Sequence, residues 1–142
     1  VGLGHPRGIA IQGIEGGVLP SVRRRTRGIE LTDSSQVPLT VEPADFGLSW
    51  SAEPDLPMYG PPDEGRGSGD NPLLIKAAGD IVLKVLAGVE GAARNAAILG
   101  AAVIIKASGR VPTLAEGVDC AIISLDSGEA HHIFRRVSEL GK

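Results

Sequence analysis

Gln12-Gly13-Ile14-Glu15-Gly16-Gly17-Val18-Leu19-Pro20 follows a short apolar β-run and leads into Arg23-Arg24-Arg25-Thr26-Arg27. Glycine has no Cβ, so a strand that empties into such a turn can bring backbone amides close to an anion. The guanidinium groups that follow present paired N–H donors suited to phosphate oxygens. Gly13, Gly16, Gly17, Arg23, Arg24, Arg25 and Arg27 are therefore the candidate anion- or phosphate-binding residues. The competing reading is a plain strand-to-loop turn, in which Gly16 and Gly17 supply positive φ, followed by a solvated basic loop.

Other chemistry is thinly represented. Glu15 is the only acid within reach of the turn, and a single carboxylate makes a poor magnesium site, so it is a weak candidate and no metal site is assigned. His131 and His132 are adjacent on a helical pattern, where neighbours point about 100° apart and cannot chelate one ion together. Cys120, the single cysteine, lies in an apolar helical stretch and reads as inert core. No Ser-His-Asp order or Cys-His pair stands out, and no catalytic residue is assigned. The arginines also lack interleaved aromatics for base stacking; Trp50 and Tyr59 sit apart from them in sequence.

The charge is uneven. The net is −3, with +3 in residues 1–30, −7 in residues 31–70 and +1 in residues 71–142. A basic head beside an acidic middle favours an anion at Arg23–Arg27 and argues against a broad nucleic-acid footprint. The longest apolar run, Ala96 to Ile105, falls far short of the roughly 20 residues a membrane helix needs. No signal-peptide pattern is visible, and the lone cysteine suits a reducing compartment, so the expected location is the cytoplasm. The chain starts at Val1 and not Met, as a piece of a longer protein would.

The elements that must position these residues fall into three regions of one partial domain. Residues 8–48 read as short strands at 8–12, 28–32 and 37–41. Ile9-Ala10-Ile11 is continuously apolar, the mark of a strand covered on both faces in a parallel sheet, while Pro38 fits an edge strand. Residues 49–71 form a Pro/Gly-rich connector that can sustain neither helix nor ladder. Residues 72–141 read as four helices. The first is capped by Asn71 before Pro72. The second, about 91–107, is apolar enough to be buried on most sides. The third opens on the capping box Thr113-Leu114-Ala115-Glu116. The fourth is capped by Ser127 or Asp126, with Ala130, Ile133, Phe134, Val137 and Leu140 on one face. The fold class is α/β, with short, mostly parallel strands followed by four helices.

The order and spacing of several motifs resemble the anthranilate phosphoribosyltransferase family. They are Gln12-Gly13-Ile14-Glu15-Gly16, Pro43-Ala44-Asp45-Phe46-Gly47-Leu48, Leu86-Ala87-Gly88, Arg94-Asn95-Ala96-Ala97-Ile98-Leu99-Gly100-Ala101-Ala102, Leu114-Ala115-Glu116-Gly117-Val118 and Asp126-Ser127-Gly128-Glu129-Ala130. The resemblance implies the C-terminal half of a larger nucleoside-phosphorylase/phosphoribosyltransferase-like α/β domain. It implies a parent that moves a phosphoribosyl group from phosphoribosyl pyrophosphate to a small aromatic acceptor in tryptophan biosynthesis, with Mg²⁺ in active members. The family's N-terminal helical domain and Gly-Thr-Gly-Gly-Asp pyrophosphate loop do not occur in this sequence. The missing N-terminal half is thus an expected partner, and the chain alone is expected to self-associate and to be inactive, with no cofactor of its own.

The departures from the family bear on function. Its turn reads His-Gly-x-Asp-Gly-x-Asp-Glu, and the last two acids hold magnesium. Here the His position is Gln12 and the two acids fall on Val18 and Leu19. The family's Leu-Asn-Ala reads Leu99-Gly100-Ala101. These changes resemble a divergent branch without the metal pair. One such branch binds nucleic acid, which makes a non-enzymatic single-strand binder using Arg23–Arg27 the alternative function.

Overall fold

The computed structural model describes residues 7–13, 18–32, 35–55 and 72–141. Strands β1 (Arg7–Ile11), β2 (Thr26–Thr32) and β3 (Ser35–Val41) form one sheet in the order β1-β2-β3. Both pairings are antiparallel, Ala10 facing Ile29 and Ile29 facing Pro38. The expectation of mostly parallel strands is therefore wrong for this sheet. Only two positions separate β2 from β3, and a parallel crossover needs a dozen or more residues, so a hairpin was the only connection available. Pro38 lies on the outer strand, as its missing N–H requires.

Ile9 and Ile11 pack onto the core from one sheet face, while Ala10 is exposed on the other. Among the described residues β1 is thus covered on one face, not both. A 3-10 turn over Pro43–Phe46 follows β3 and ends at Gly47, whose φ of 68° is the left-handed region that glycine tolerates. Helices α1 (Pro72–Leu86), α2 (Ala92–Ala107), α3 (Leu114–Asp126) and α4 (Glu129–Leu140) complete the described structure and lie where the sequence places them. Asn71, the proposed cap of α1, lies outside the described residues.

Helix α2 is the centre. Its Ala96, Ile98, Leu99, Ala102 and Val103 are buried together with Val22, Val41, Leu48, Leu114, Val118 and Ala121. Ile104, on the remaining side, is exposed. Three polar contacts fix α2 to its surroundings. Lys106 Nζ reaches Glu30 Oε2 on β2 at 2.5 Å, both side chains being largely buried. Arg94 pairs with Asp126 at the end of α3. Asn95 Nδ2 donates to the Leu48 carbonyl at 3.0 Å.

The capping box of α3 is present. Thr113 Oγ1 accepts from the Glu116 N–H, and Glu116 Oε2 accepts from the Thr113 N–H, each at 3.2 Å. For α4 the N-cap is Gly128, not Asp126 or Ser127; the Ser127 hydroxyl accepts from the Glu129 N–H at 3.4 Å. Cys120 is exposed on α3 and does not belong to the core.

Helices α2 and α3 approach each other closely at Gly117, where an added Cβ would lie 2.8 Å from the Ala102 carbonyl oxygen. Backbone cannot rotate away as a side chain can, so the helices would have to separate. Gly117→Ala should cost about 1–3 kcal/mol in chemical denaturation, against the gain in helix propensity that alanine normally brings. Unchanged or raised stability would contradict this packing.

Candidate anion-binding site

Pro20 and Val22 are buried in the core, which pins the segment just after the Gly-rich turn and leaves the next side chains facing water. Arg23, Arg24, Arg25 and Arg27 are all exposed. Arg25 Nε pairs with Glu42 Oε2 at 3.3 Å. Arg23, Arg24 and Arg27 form no ion pair among the described residues. The structure therefore brings the four arginines together on one loop and the start of β2, with three guanidinium groups unpaired among the described residues. Of the glycines, Gly13 is half-buried, while Gly16, Gly17 and Glu15 lie outside the described residues.

The loop backbone is held from within. The Ser21 N–H donates to Thr26 Oγ1 at 2.9 Å, and both residues are buried. Ser21 Oγ accepts from the Arg23 N–H at 3.1 Å and the Arg24 N–H at 3.0 Å, and its own proton goes to Glu53 Oε1. The Val22 N–H donates to Glu53 Oε2 at 3.1 Å. Every amide from Ser21 to Arg24 thus has an acceptor inside the protein. While Glu53 stays in place, what this loop offers an incoming anion is its guanidinium groups, not a bare nest of amides.

Residues 48–53 cross this loop as a strap held at three points. Asn95 of α2 holds the Leu48 carbonyl, the Trp50 N–H donates to the Val22 carbonyl at 2.9 Å, and Glu53 bonds Ser21 and Val22. The strap carries Trp50 to the arginine loop, with the residue 42% exposed. The roles of Ser21, Thr26, Glu53 and Asn95 escape a reading based on charge and spacing. One signal was available: Asn95 is an amide in a run of buried apolar residues, a position that requires a hydrogen-bond partner. Tyr59 lies outside the described residues.

The two positions where the resemblance puts metal ligands are not built for a cation. Val18 is 86% exposed and Leu19 packs against the core. Leu19 Cδ2 comes within 3.0 Å of where a Cβ on Gly100 would stand. The two departures from the family pattern, leucine for an acid and glycine for asparagine, therefore face each other as one apolar contact. Neither the Val18 nor the Leu19 side chain carries an oxygen, the ligand atom a hard divalent cation needs. Among the described residues no group of three or more His, Cys, Asp or Glu could hold a metal ion. His131 and His132 are half-buried and exposed on α4. No helix among the described residues is long and apolar enough to cross a membrane.

No protein-family model matches the chain. Among curated proteins, the anthranilate phosphoribosyltransferase of Symbiobacterium thermophilum is 31% identical over 137 residues, covering 96% of this chain and 36% of the relative. That of Geobacter sulfurreducens is 34% identical over 130 residues, covering 90% and 33%. The crystal structure of anthranilate phosphoribosyltransferase from Thermus thermophilus superposes with a TM-score of 0.62 at 26% identity, over 92% of this chain and 34% of that one. The chain spans about a third of the length of the relatives it matches, on their C-terminal portion.

Proposed function

We propose the following role for a chain that belongs to the anthranilate phosphoribosyltransferase family and carries the C-terminal portion of its fold. It supplies the C-terminal lobe of a transferase-like domain and does not itself transfer a phosphoribosyl group. The observation that carries this reading is Leu19 packed on Gly100, where active relatives, by resemblance, keep a metal-binding acid opposite a polar residue. Transfer from phosphoribosyl pyrophosphate leaves pyrophosphate, a concentrated negative charge. Without carboxylates at positions 18 and 19 the lobe lacks the anionic ligands that would fix a magnesium ion to neutralise it. The direct test follows consumption of anthranilate by its fluorescence, in the presence of phosphoribosyl pyrophosphate and Mg²⁺. No turnover above the uncatalysed background is expected. Turnover lost on substituting any residue of 12–19 would refute this reading.

A second reading has its own support: among the described residues Arg23, Arg24 and Arg27 pair with no acid, and the Trp50 backbone is bonded to Val22 beside them. Cations that follow a phosphate backbone, with an exposed aromatic on which a base can stack, form the minimal equipment of a single-strand binder. In this reading the lobe binds single-stranded nucleic acid mainly by charge, with Arg25 less available because Glu42 holds it.

A further inference from the structure

Glu53 is held in the arginine loop by neutral donors. Its two carboxylate oxygens take the Ser21 hydroxyl and the Val22 N–H, and among the described residues no Lys or Arg nitrogen lies within ion-pair distance of it. Ser21 is 5% exposed and its N–H is bonded to the buried Thr26, so the Ser21 hydroxyl and the Val22 N–H are held at a fixed place beneath the loop, where the half-buried Glu53 reaches them. A hydroxyl and an amide converging on one carboxylate form a donor set that serves a phosphate oxygen equally well. Arg23 and Arg24, the next residues in the chain, are exposed and pair with no acid among the described residues. Residues 31–70 carry a net −7, and two of their acids land on this loop: Glu42 on Arg25, and Glu53 on Ser21 and Val22.

Given the reading of Arg23 and Arg24 as anion-binding groups, we infer that this loop is a site for a small oxyanion of the phosphate class, and that the Glu53 carboxylate is its resident occupant. A phosphate group competes with Glu53 for the Ser21 hydroxyl and the Val22 N–H. The exchange replaces one anion by another on the same donors, and the carboxylate returns to water. Phosphate has the advantage of further oxygens that the neighbouring guanidinium groups can take, which a carboxylate already using both oxygens lacks. Displacement also removes one of the three fastenings of the strap, leaving Asn95 on Leu48 and Val22 on Trp50. The acidic middle of the chain thus acts as a built-in competitor that keeps the loop from binding phosphate indiscriminately.

The probe is inorganic pyrophosphate, titrated calorimetrically into the 142-residue chain at low salt. Glu53→Gln keeps an acceptor for the loop but loses the charge, and it should bind pyrophosphate about tenfold more tightly than the unaltered chain. Adding Ser21→Ala to Glu53→Gln should remove that gain. Equal affinity with and without Glu53→Gln, or a gain that survives Ser21→Ala, overturns the inference. Trp50 is the single tryptophan and lies three residues from Glu53, so its emission gives a readout needing no substitution at the strap. Saturating pyrophosphate should shift that emission in the unaltered chain, and a flat response counts against displacement even if Glu53→Gln does not fold. The two readings separate cleanly. A Ser21-dependent gain alongside oligonucleotide binding indifferent to Arg23→Ala and Arg24→Ala leaves this site standing without the nucleic-acid reading. Arginine-dependent oligonucleotide binding with no gain in Glu53→Gln does the reverse.

Discussion

Replacing Arg23 and Arg24 together with alanine should lower affinity for a single-stranded oligonucleotide by roughly one to two orders of magnitude at low salt. Each phosphate contact on a single strand contributes about 0.7 to the slope of log affinity against log salt, so losing two should flatten that slope by about 1.4. These two are chosen over Arg25 because Glu42 already engages Arg25. Thermal stability should hardly change, since both side chains are exposed and make no ion pair among the described residues. Binding and slope both unchanged in the double variant would leave the arginines as a solvated loop.

The second large effect concerns assembly. Helix α1 has no buried residue, and its Leu73, Ile75, Val82 and Leu83 are all exposed. Helix α4 turns Ile133, Val137 and Leu140 to solvent, the last at 87% exposure. At about 25 cal/mol per Å², two helices with uncovered apolar faces give association a strong drive. The isolated chain should therefore grow in mass with concentration in light scattering and should bind a dye for apolar surface. Val82→Glu with Val137→Glu should return it toward monomer with little loss of melting temperature, because neither side chain supports the core. A monomer without dye binding at high concentration would contradict this expectation.

Periodicity made the helices legible. The apolar pattern from Ala92 to Ala107 and the Thr113–Glu116 capping box led to elements in the observed places. Strand positions were equally readable, because β-branched runs end at turn residues. Strand direction was not, since Ile9-Ala10-Ile11 looks the same whether its neighbours run parallel or antiparallel. The two-residue gap before Ser35 held that information and outweighs composition. The arginine cluster could be read from charge alone. Its wiring could not, because Ser21 and Glu53 stand 32 residues apart in sequence and meet only through the fold. Cys120 misled for a simpler reason: cysteine in an apolar helix is usually inside, yet this one falls on the exposed side of α3. The pairing of Leu19 with Gly100 was visible as two separate departures from a family pattern. Their contact in space makes them one change.

That single change carries the account, and calorimetric titration with Mg²⁺ tests it most directly. With Val18 and Leu19 in place of two carboxylates, and Leu19 fixed by packing on Gly100, millimolar Mg²⁺ should give the featureless heat of a generic acidic surface. A saturable magnesium site that disappears on Glu15→Gln would contradict it, and would place a working metal centre in the turn that opens this loop.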